Sequence, residues 1–353
     1  MDYVPILRFR PVEFKILQKT SHSDIFPLLE TVDKKSVSNV GKLKGKFAKG
    51  MMIELPCYLT ENENKYFGGV MSVLQGYDGN TKTLRQVAFY KANKGKIDIP
   101  VVSSGSARLI SYKDLLDGFD ELKDSFERIA VRIFVGPIDI SSTNMQNLMD
   151  LIKKIRKSDI ILLDVVEFDG VEVEVMNNIK KVLNAITEEK KANVIVLNAF
   201  DATGEWKNDV HHYAPLLAKI FGLSGFGDFV TLPRYESAGG SNVPTSVIRY
   251  FSPWESKLIH FVSSSNFRDS KRKLKNSTIW KIAVTNRHFS ACDSCVEIDK
   301  KDSEWKTFWK IFRINHHINS IMSETMQAMG KYQNPQDFDM EGYNNIFKKT
   351  NQK

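Results

Sequence analysis

The chain has 353 residues, of which 42% are hydrophobic and 26% are charged, and its formal net charge at pH 7 is +8. This composition is that of an ordinary globular protein and excludes a chain that is disordered throughout. Its three cysteines are too few for a disulfide framework, and no basic segment followed by an apolar one opens the chain. We therefore expect a cytoplasmic protein that has no membrane segment.

Short apolar runs rich in β-branched residues recur along the first two thirds of the chain and predict β-strands. Most of them are apolar at nearly every position, which is typical of parallel strands that are buried on both faces. The eight runs are Tyr3 to Phe9, Ile25 to Val32, Met51 to Cys57, Ile99 to Ser104, Ile129 to Val135, Ile160 to Val166, Val194 to Ala199 and Phe229 to Leu232.

Segments with helical periodicity separate these runs. One begins at Ser141 or Ser142, another extends from Val171 to Ile186, and a shorter one extends from Tyr213 to Phe221. The connection from Tyr58 to Asp98 is long enough for an extra helix or a lid. The repeated order of strand, helix and strand predicts a parallel sheet, and eight strands favour an eightfold β/α barrel (TIM-like) over an open sheet. The first strand is not followed by a glycine-rich phosphate-binding motif.

The chain after the last predicted strand has a different character. Val247 to Tyr250 and Leu258 to Val262 predict a hairpin, and Trp305 to Met329 predicts a long helix that is packed on the barrel or on a partner. We predict a barrel over residues 1–236, a C-terminal extension packed on it over 237–330, and a polar tail over 331–353.

Polar residues close several of the predicted strands, at the end where β/α barrels carry their active sites. Glu30, Glu54 and Asp164 each end an apolar run, so each carboxylate must be paired, metal-bound or functional. Arg132 lies between apolar neighbours inside a strand and must contact a carboxylate or an anionic ligand. The other polar residues predicted at strand ends are Arg8, Arg10, Ser103, Ser104, Glu167, Asn198, Asp201, Arg234 and Glu236.

Two interpretations of these strand-end residues remain open. In the functional one, the three carboxylates act as general acid and base or bind a hard cation, while Arg8, Arg10 and Arg132 bind an anionic group such as phosphate. In the structural one, the same residues form a salt-bridged plug that closes the end of the barrel.

Other polar groups allow a functional and a structural interpretation as well. His288, Cys292 and Cys295 have the chemistry of zinc ligands, but the chain has one Cys-x-x-Cys only, and a turn explains it equally well. We therefore predict no metal site. The basic segments Lys42 to Lys49 and Arg268 to Lys275 indicate either nucleic-acid binding or solvated faces.

Three stretches of the sequence form a recognisable set: Tyr3 to Glu13 together with Ile25 to Glu30, Phe226 to Phe229 leading to Val247 to Tyr250, and Trp309 to His317. Together they resemble the beta protein family of phages and bacteria. The resemblance implies that the characteristic polar residues of the family correspond to Arg8, Arg10, Glu13, Glu30, Asp228, Arg249, His316 and His317. It also implies a part in the conflict between phage and host, with antiviral defence as one setting.

The residues and the resemblance together lead to one main hypothesis and two alternatives. The main one is a phage-associated or defence-associated barrel that binds a nucleotide or nucleic acid at the strand ends. Its catalytic candidates are Glu30, Glu54 and Asp164, and its ligand-binding candidates are Arg8, Arg10, Glu13, Arg132, Arg234, Arg249, His316 and His317. The alternatives are a non-enzymatic scaffold that binds a protein partner through its C-terminal helix, and a metal-dependent phosphodiesterase. No cofactor is indicated.

Overall fold

Eight parallel strands close into a barrel in the computed structural model of the chain, and each pairs with its neighbour in the order β1-β2-β3-β4-β5-β6-β7-β9. The predicted eightfold β/α barrel is therefore confirmed. The barrel strands are β1 Asp2–Phe9, β2 Leu28–Thr31, β3 Met52–Glu54, β4 Ile99–Ser103, β5 Ala130–Phe134, β6 Ile160–Asp164, β7 Asn193–Asn198 and β9 Gly225–Phe229.

The structure describes residues 1–19, 25–61, 66–106, 110–135, 142–165, 173–189, 192–198, 210–211, 213–230, 247–252, 257–262, 314–319 and 321–322. Several sequence predictions fall outside these ranges, including those on Glu167, Asp201, Arg234, Glu236, the His288 to Cys295 segment and Trp305. The division into a barrel, an extension and a tail also remains a prediction.

Helices connect the barrel strands and cover the outside of the sheet. They are α1 Pro11–Lys19, α2 Lys34–Val40, α3 Phe67–Leu74, α4 Lys82–Ala92, α5 Tyr112–Leu122, α6 Ser142–Lys154, α7 Val173–Glu189 and α8 Ala214–Ile220. The long connection between β3 and β4 contains α3 and α4, as its length predicted. None of the helices in the described part of the chain is long and apolar enough to cross a membrane.

Side-chain caps fix the first turns of several helices. The Thr81 hydroxyl accepts a hydrogen bond from the Leu84 amide at 3.2 Å before α4, and Ser111 accepts one from the Asp114 amide at 3.2 Å before α5. Asp33 does the same for Ser36 at 2.7 Å before α2. Each cap satisfies a backbone amide that has no partner within its helix, so the sequence itself sets where these helices begin.

The last barrel strand begins four residues before the predicted one, which began at Phe229. The prediction was wrong because it searched for β-branched residues, and β9 instead contains Gly225 and Gly227. A Cβ atom on Gly227 would lie 2.4 Å from the Val4 carbonyl oxygen, and one on Gly225 would lie 2.5 Å from the Asp2 carbonyl oxygen. Glycine is required here because β9 closes the barrel very near to the backbone of β1.

Alternate residues of each strand divide the buried side chains into two groups. Tyr3 on β1 belongs to the large cluster between strands and helices, whereas Val4 and Ile6 belong to a smaller cluster inside the barrel. On β5, Ala130 belongs to the inner cluster, and Val131 and Ile133 belong to the outer one. This alternation decides which polar residues face the barrel interior.

A second, antiparallel sheet has the strand order β10-β11-β8, formed by β8 Val210–His211, β10 Val247–Ser252 and β11 Lys257–Val262. The predicted hairpin is confirmed by the β10 and β11 pair. Within the predicted C-terminal helix, residues 314–319 are helical, and Ile314, Ile318 and Ile321 are buried in the cluster between strands and helices.

Candidate functional site

The carboxyl end of the barrel contains a layer of polar side chains that face the interior. Alternation along the strands places Arg8 two residues beyond Ile6, Glu30 two residues beyond Leu28, and Arg132 two residues beyond Ala130. Strand pairing brings Arg8 opposite Glu30 and Glu30 opposite Glu54. The layer consists of Arg8, Glu30, Glu54, Ser103, Arg132 and Asp164, all of which are buried.

Arg132 lies at the centre of this layer and contacts three carboxylates from other strands. Its Nε donates to Asp164 Oδ2 at 2.8 Å, and its Nη1 donates to Glu30 Oε1 at 3.0 Å and to Glu54 Oε2 at 2.5 Å. The four side chains have no solvent exposure. We call Arg132, Glu30, Glu54 and Asp164 the Arg132 cluster.

Aromatic rings enclose the guanidinium group of Arg132. Its Cζ lies 4.8 Å from the ring centre of Tyr58, 5.3 Å from that of Phe134 and 5.8 Å from that of Phe229. The Tyr58 hydroxyl also donates a 2.5 Å hydrogen bond to Glu30 Oε1. The rings exclude water, and the electrostatic interactions inside the cluster are therefore stronger than they would be at a surface.

Burial and neighbouring charges shift the protonation equilibria of the cluster. Burial raises the pKa of Glu54 to about 7; the attraction of Arg132 lowers this pKa and the repulsion of Glu30 raises it. Burial disfavours the charged form of Arg132, but the surrounding negative groups, led by Glu54, hold its pKa well above the ordinary value. The cluster thus combines a permanent cation with a carboxyl group that exchanges a proton near neutral pH.

Gln86 on α4 forms hydrogen bonds to residues at the polar layer, in β4 and directly after β3. Its side-chain amide donates to the Leu55 carbonyl oxygen at 2.6 Å and to the Ser103 hydroxyl at 3.1 Å, and it accepts from the Ser103 amide at 3.2 Å. The nearby Cys57 is buried, and burial raises the pKa of its thiol to about 12. Cys57 therefore lacks the thiolate character that a nucleophile needs.

Arg8 and Arg10 lie at the outer edge of the layer, and both approach the same aromatic residue. Arg8 Cζ is 5.6 Å from the ring centre of Tyr66 and Arg10 Cζ is 5.7 Å from it, while Arg8 Nε lies 3.4 Å from Glu30 Oε2. Arg10 donates to the Tyr66 hydroxyl at 2.6 Å and forms an ion pair with Glu13 on α1. We call Arg8, Arg10 and Tyr66 the rim residues.

Asp228 and His317 meet away from the barrel interior. Phe226 and Val230 of the same chain segment belong to the cluster between strands and helices, so alternation places Asp228 on the outer face of β9. The Tyr3 hydroxyl donates to Asp228 Oδ1 at 2.8 Å, and His317 Nε2 lies 2.9 Å from Asp228 Oδ2. His316 is buried as well. These residues attach the segment at 314–319 to the barrel wall.

Comparison with known proteins identifies the family of the chain. The sequence model of the protein family described as Beta protein matches residues 3–323 of this chain. The chain belongs to the Beta protein family. No curated protein and no solved structure matches the chain.

In this member of the Beta protein family, the structure brings together part of the set that the sequence predicted. Arg8, Glu30, Glu54, Arg132 and Asp164 share the interior layer, whereas Arg10 and Glu13 form a pair at its edge. Arg249 lies on β10 with its Cα opposite that of His260, in the second sheet. Arg234 lies outside the described residues. Asn198 and Asp228 pair across β7 and β9.

Sequence reasoning missed Tyr58, Tyr66 and Gln86. Tyr58 and Tyr66 follow β3 in the connection to α3, and Gln86 lies on the buried face of α4. The one signal available was that Gln86 is polar among the apolar residues Val87, Phe89 and Tyr90. A buried amide in such a position must bond to something, but its partner could not be read from spacing alone.

Proposed function

We propose that the carboxyl end of the barrel binds an anionic ligand of the nucleotide class or the end of a nucleic acid. The observation that carries the proposal is the arrangement of the rim residues, in which two guanidinium groups lie 5.6 and 5.7 Å from the ring centre of Tyr66. Guanidinium groups bind phosphate through paired hydrogen bonds, and an aromatic ring beside them offers a surface on which a base stacks.

The Arg132 cluster supplies a second part of the proposal. Three carboxylates face the two guanidinium groups of Arg8 and Arg132, so the layer carries an excess negative charge when Glu54 is ionised. Protonation of Glu54 removes that charge and favours an incoming anion. Because the pKa of Glu54 is about 7, anion binding should be coupled to proton uptake at neutral pH.

Equilibrium binding of labelled ATP and of a short labelled oligonucleotide tests this proposal. Arg8→Gln and Arg10→Gln should weaken binding, because each removes a charged donor at the rim, whereas Lys113→Gln on the exposed surface of α5 should not. Affinity should fall as the pH rises through 7 in the wild type, and the fall should be absent in Glu54→Gln. Unchanged binding in both rim variants would overturn the proposal.

A catalytic role for Glu30, Glu54 and Asp164 belongs to the same proposal in a more specific form. Glu54 is the carboxyl group best suited to proton transfer, since its pKa lies near 7. Hydrolysis of the bound nucleotide that is lost in Glu54→Gln, while binding remains, would support it. A role in phage conflict rests on the family resemblance and would be tested by plaque formation on cells that express the wild type or Arg8→Gln.

The two alternatives have weaker support from the contacts. A metal-dependent phosphodiesterase would need Glu30, Glu54 and Asp164 to hold a cation, and they surround the Arg132 guanidinium group instead. A scaffold that binds through the C-terminal helix would need an exposed apolar face, and Ile314, Ile318 and Ile321 are buried. Trp305 and Trp309, on which this alternative mainly depended, lie outside the described residues.

A further inference from the structure

A group of basic side chains lies on the amino-terminal face of the barrel, opposite the Arg132 cluster. The loops that enter β3, β4 and β5 supply it, and these loops meet where the strands begin. The group consists of Lys42, Lys44, Lys46, Lys49, Lys94, Lys96 and Arg128, and we call it the amino-face basic cluster. It contains the basic run from Lys42 to Lys49, to which the proposed function gives no role.

Hydrogen bonds to backbone carbonyl groups hold these loops together. Lys44 Nζ donates to the Gly95 oxygen at 3.1 Å, and Arg128 Nη1 donates to the Lys49 oxygen at 3.0 Å. Lys46 Nζ donates to the Gln18 oxygen at 2.8 Å. A carbonyl acceptor positions a cation but leaves its charge in place, so these contacts organise the cluster without neutralising it.

Few carboxylates offset the positive charge. Within the described ranges, Asp2 pairs with Lys49, and Asp98 lies 4.0 Å from Lys44. Asp124 and Glu127 also lie in the loop that supplies Arg128, so seven basic side chains are accompanied by four acidic ones. The basic excess is greatest in the run from Gly41 to Gly50, which has no acidic residue. The excess charge is local, since most exposed lysines on α5 and α6 pair with an aspartate of the same or the neighbouring helix.

The cluster is accessible to a large partner. The side chains of Lys44 and Lys49 are each 46% exposed, and Lys42, Lys94 and Lys96 are exposed as well. Gly45 and Gly95 add backbone without side chains, and no atom lies within 4 Å of where a Cβ would be at either position. These side chains are therefore open to contact with a charged polymer.

The chemistry of the face favours phosphate over a lipid surface or a base. Among the described residues, the large hydrophobic side chain exposed to solvent is Met1, which directly precedes β1. A single exposed methionine is far less than the apolar face that inserts into a membrane. Lysines contact phosphates as point charges, and the residues that the structure describes on this face include no exposed aromatic ring for base stacking. We propose that the amino-face basic cluster binds the phosphate backbone of nucleic acid without regard to sequence, at a site separate from the rim residues.

Fluorescence anisotropy with short labelled DNA duplexes of two unrelated sequences tests this, using the full chain at a series of salt concentrations. The cluster variant carries Lys44→Gln, Lys94→Gln and Lys96→Gln, and its matched control carries Lys113→Gln, Lys153→Gln and Lys181→Gln, which are also exposed. Both variants lose the same net charge. We expect the cluster variant to bind both duplexes about tenfold more weakly or worse, with a salt slope smaller by about 2 to 3, since each lost phosphate contact removes about 0.9 from it.

Three results would overturn the inference. The first is equal weakening in the cluster variant and its control, which would attribute binding to net charge. The second is loss of duplex binding in Arg8→Gln with no change in the cluster variant, which would place duplex DNA at the rim. The third is binding of phosphatidylserine vesicles but of neither duplex. Retention of ATP binding by the cluster variant would show separately that the rim site is intact.

Discussion

Arg132 on β5 donates a 3.0 Å hydrogen bond to Glu30 on β2, a residue 102 positions earlier in the chain. The bond crosses the barrel interior rather than joining adjacent strands, and it belongs to a cluster in which all four side chains are buried. Buried charges of this kind are costly to bring out of water, so the cluster depends on every partner being present.

Replacing Arg132 with methionine should destabilise the protein strongly, by about 3–5 kcal/mol, because three carboxylates would remain buried without their cation. Urea unfolding followed by circular dichroism measures the loss. The stability of Arg132→Lys should lie between those of the wild type and Arg132→Met, because lysine keeps the charge but not the forked geometry. The combined variant Arg132→Met, Glu54→Gln and Asp164→Asn should recover part of the loss. A cost below about 1 kcal/mol for Arg132→Met would contradict the assigned role of the cluster.

The stability of the protein should depend on pH through Glu54. Its folded pKa of about 7 lies above the ordinary value of 4.5, so the folded state binds the proton more tightly than the unfolded chain does. The resulting stabilisation is complete below pH 4.5 and is lost as the pH rises to 7, by about 3 kcal/mol. Unfolding free energies across this range should decline less in Glu54→Gln. Glu127→Gln, at an exposed position, should show the same decline as the wild type. If the unfolding free energy declined equally in all three proteins, the pH dependence would arise from groups other than Glu54.

The contacts of Asp228 with Tyr3 and with His317 should be energetically coupled. Tyr3→Phe should cost about 1 kcal/mol, because it removes a buried hydrogen bond to a carboxylate. His317→Ala should cost more, since it also loosens the segment at 314–319 from the barrel. A double-mutant cycle should give a coupling energy of about 0.5 kcal/mol or more. Tyr112→Phe is the control, because burial alone raises the pKa of the Tyr112 hydroxyl. If the losses of unfolding free energy in Tyr3→Phe and His317→Ala were strictly additive, the proposed coupling would be refuted.

Gly227 should not tolerate a side chain. An alanine Cβ there would lie 2.4 Å from the Val4 carbonyl oxygen and 2.7 Å from Leu197 Cδ2, which would force β9 away from β1 and β7. We expect a loss of about 1–3 kcal/mol or more in thermal and urea unfolding. Gly95→Ala is the matched control, because nothing lies within 4 Å of its Cβ position, and it should change stability by less than about 0.5 kcal/mol. Equal effects at both positions would refute the close approach of β9 to β1.

Much of the barrel could be predicted because its strands carry a strong local signal. Runs such as Ile160 to Asp164 are apolar at nearly every position, and helix caps such as Thr81 and Ser111 mark their own helices. The position of β9 could not be predicted in this way, since its glycines are selected by contact with β1 rather than by strand propensity.

The candidate site was predictable as a set of residue types and unpredictable as a set of contacts. Strand-end polarity indicated Glu30, Glu54, Arg132 and Asp164, but both a ligand site and a salt-bridged layer fitted that pattern. The carboxylates point to Arg132 because barrel closure brings β2, β3, β5 and β6 around one interior. The contacts of Tyr58 and Gln86 likewise depend on loops and helices that approach from elsewhere in the chain.

The sequence by itself determined the strand and helix order, the family resemblance and the acidic and basic residues at the strand ends, because these depend on local periodicity and residue chemistry. The tertiary structure alone decided that Arg132 is shared by three carboxylates, that Glu54 holds its proton near pH 7, and that His317 contacts the barrel wall. Charges separated by up to 102 residues interact only once closure of the barrel has removed the water between them.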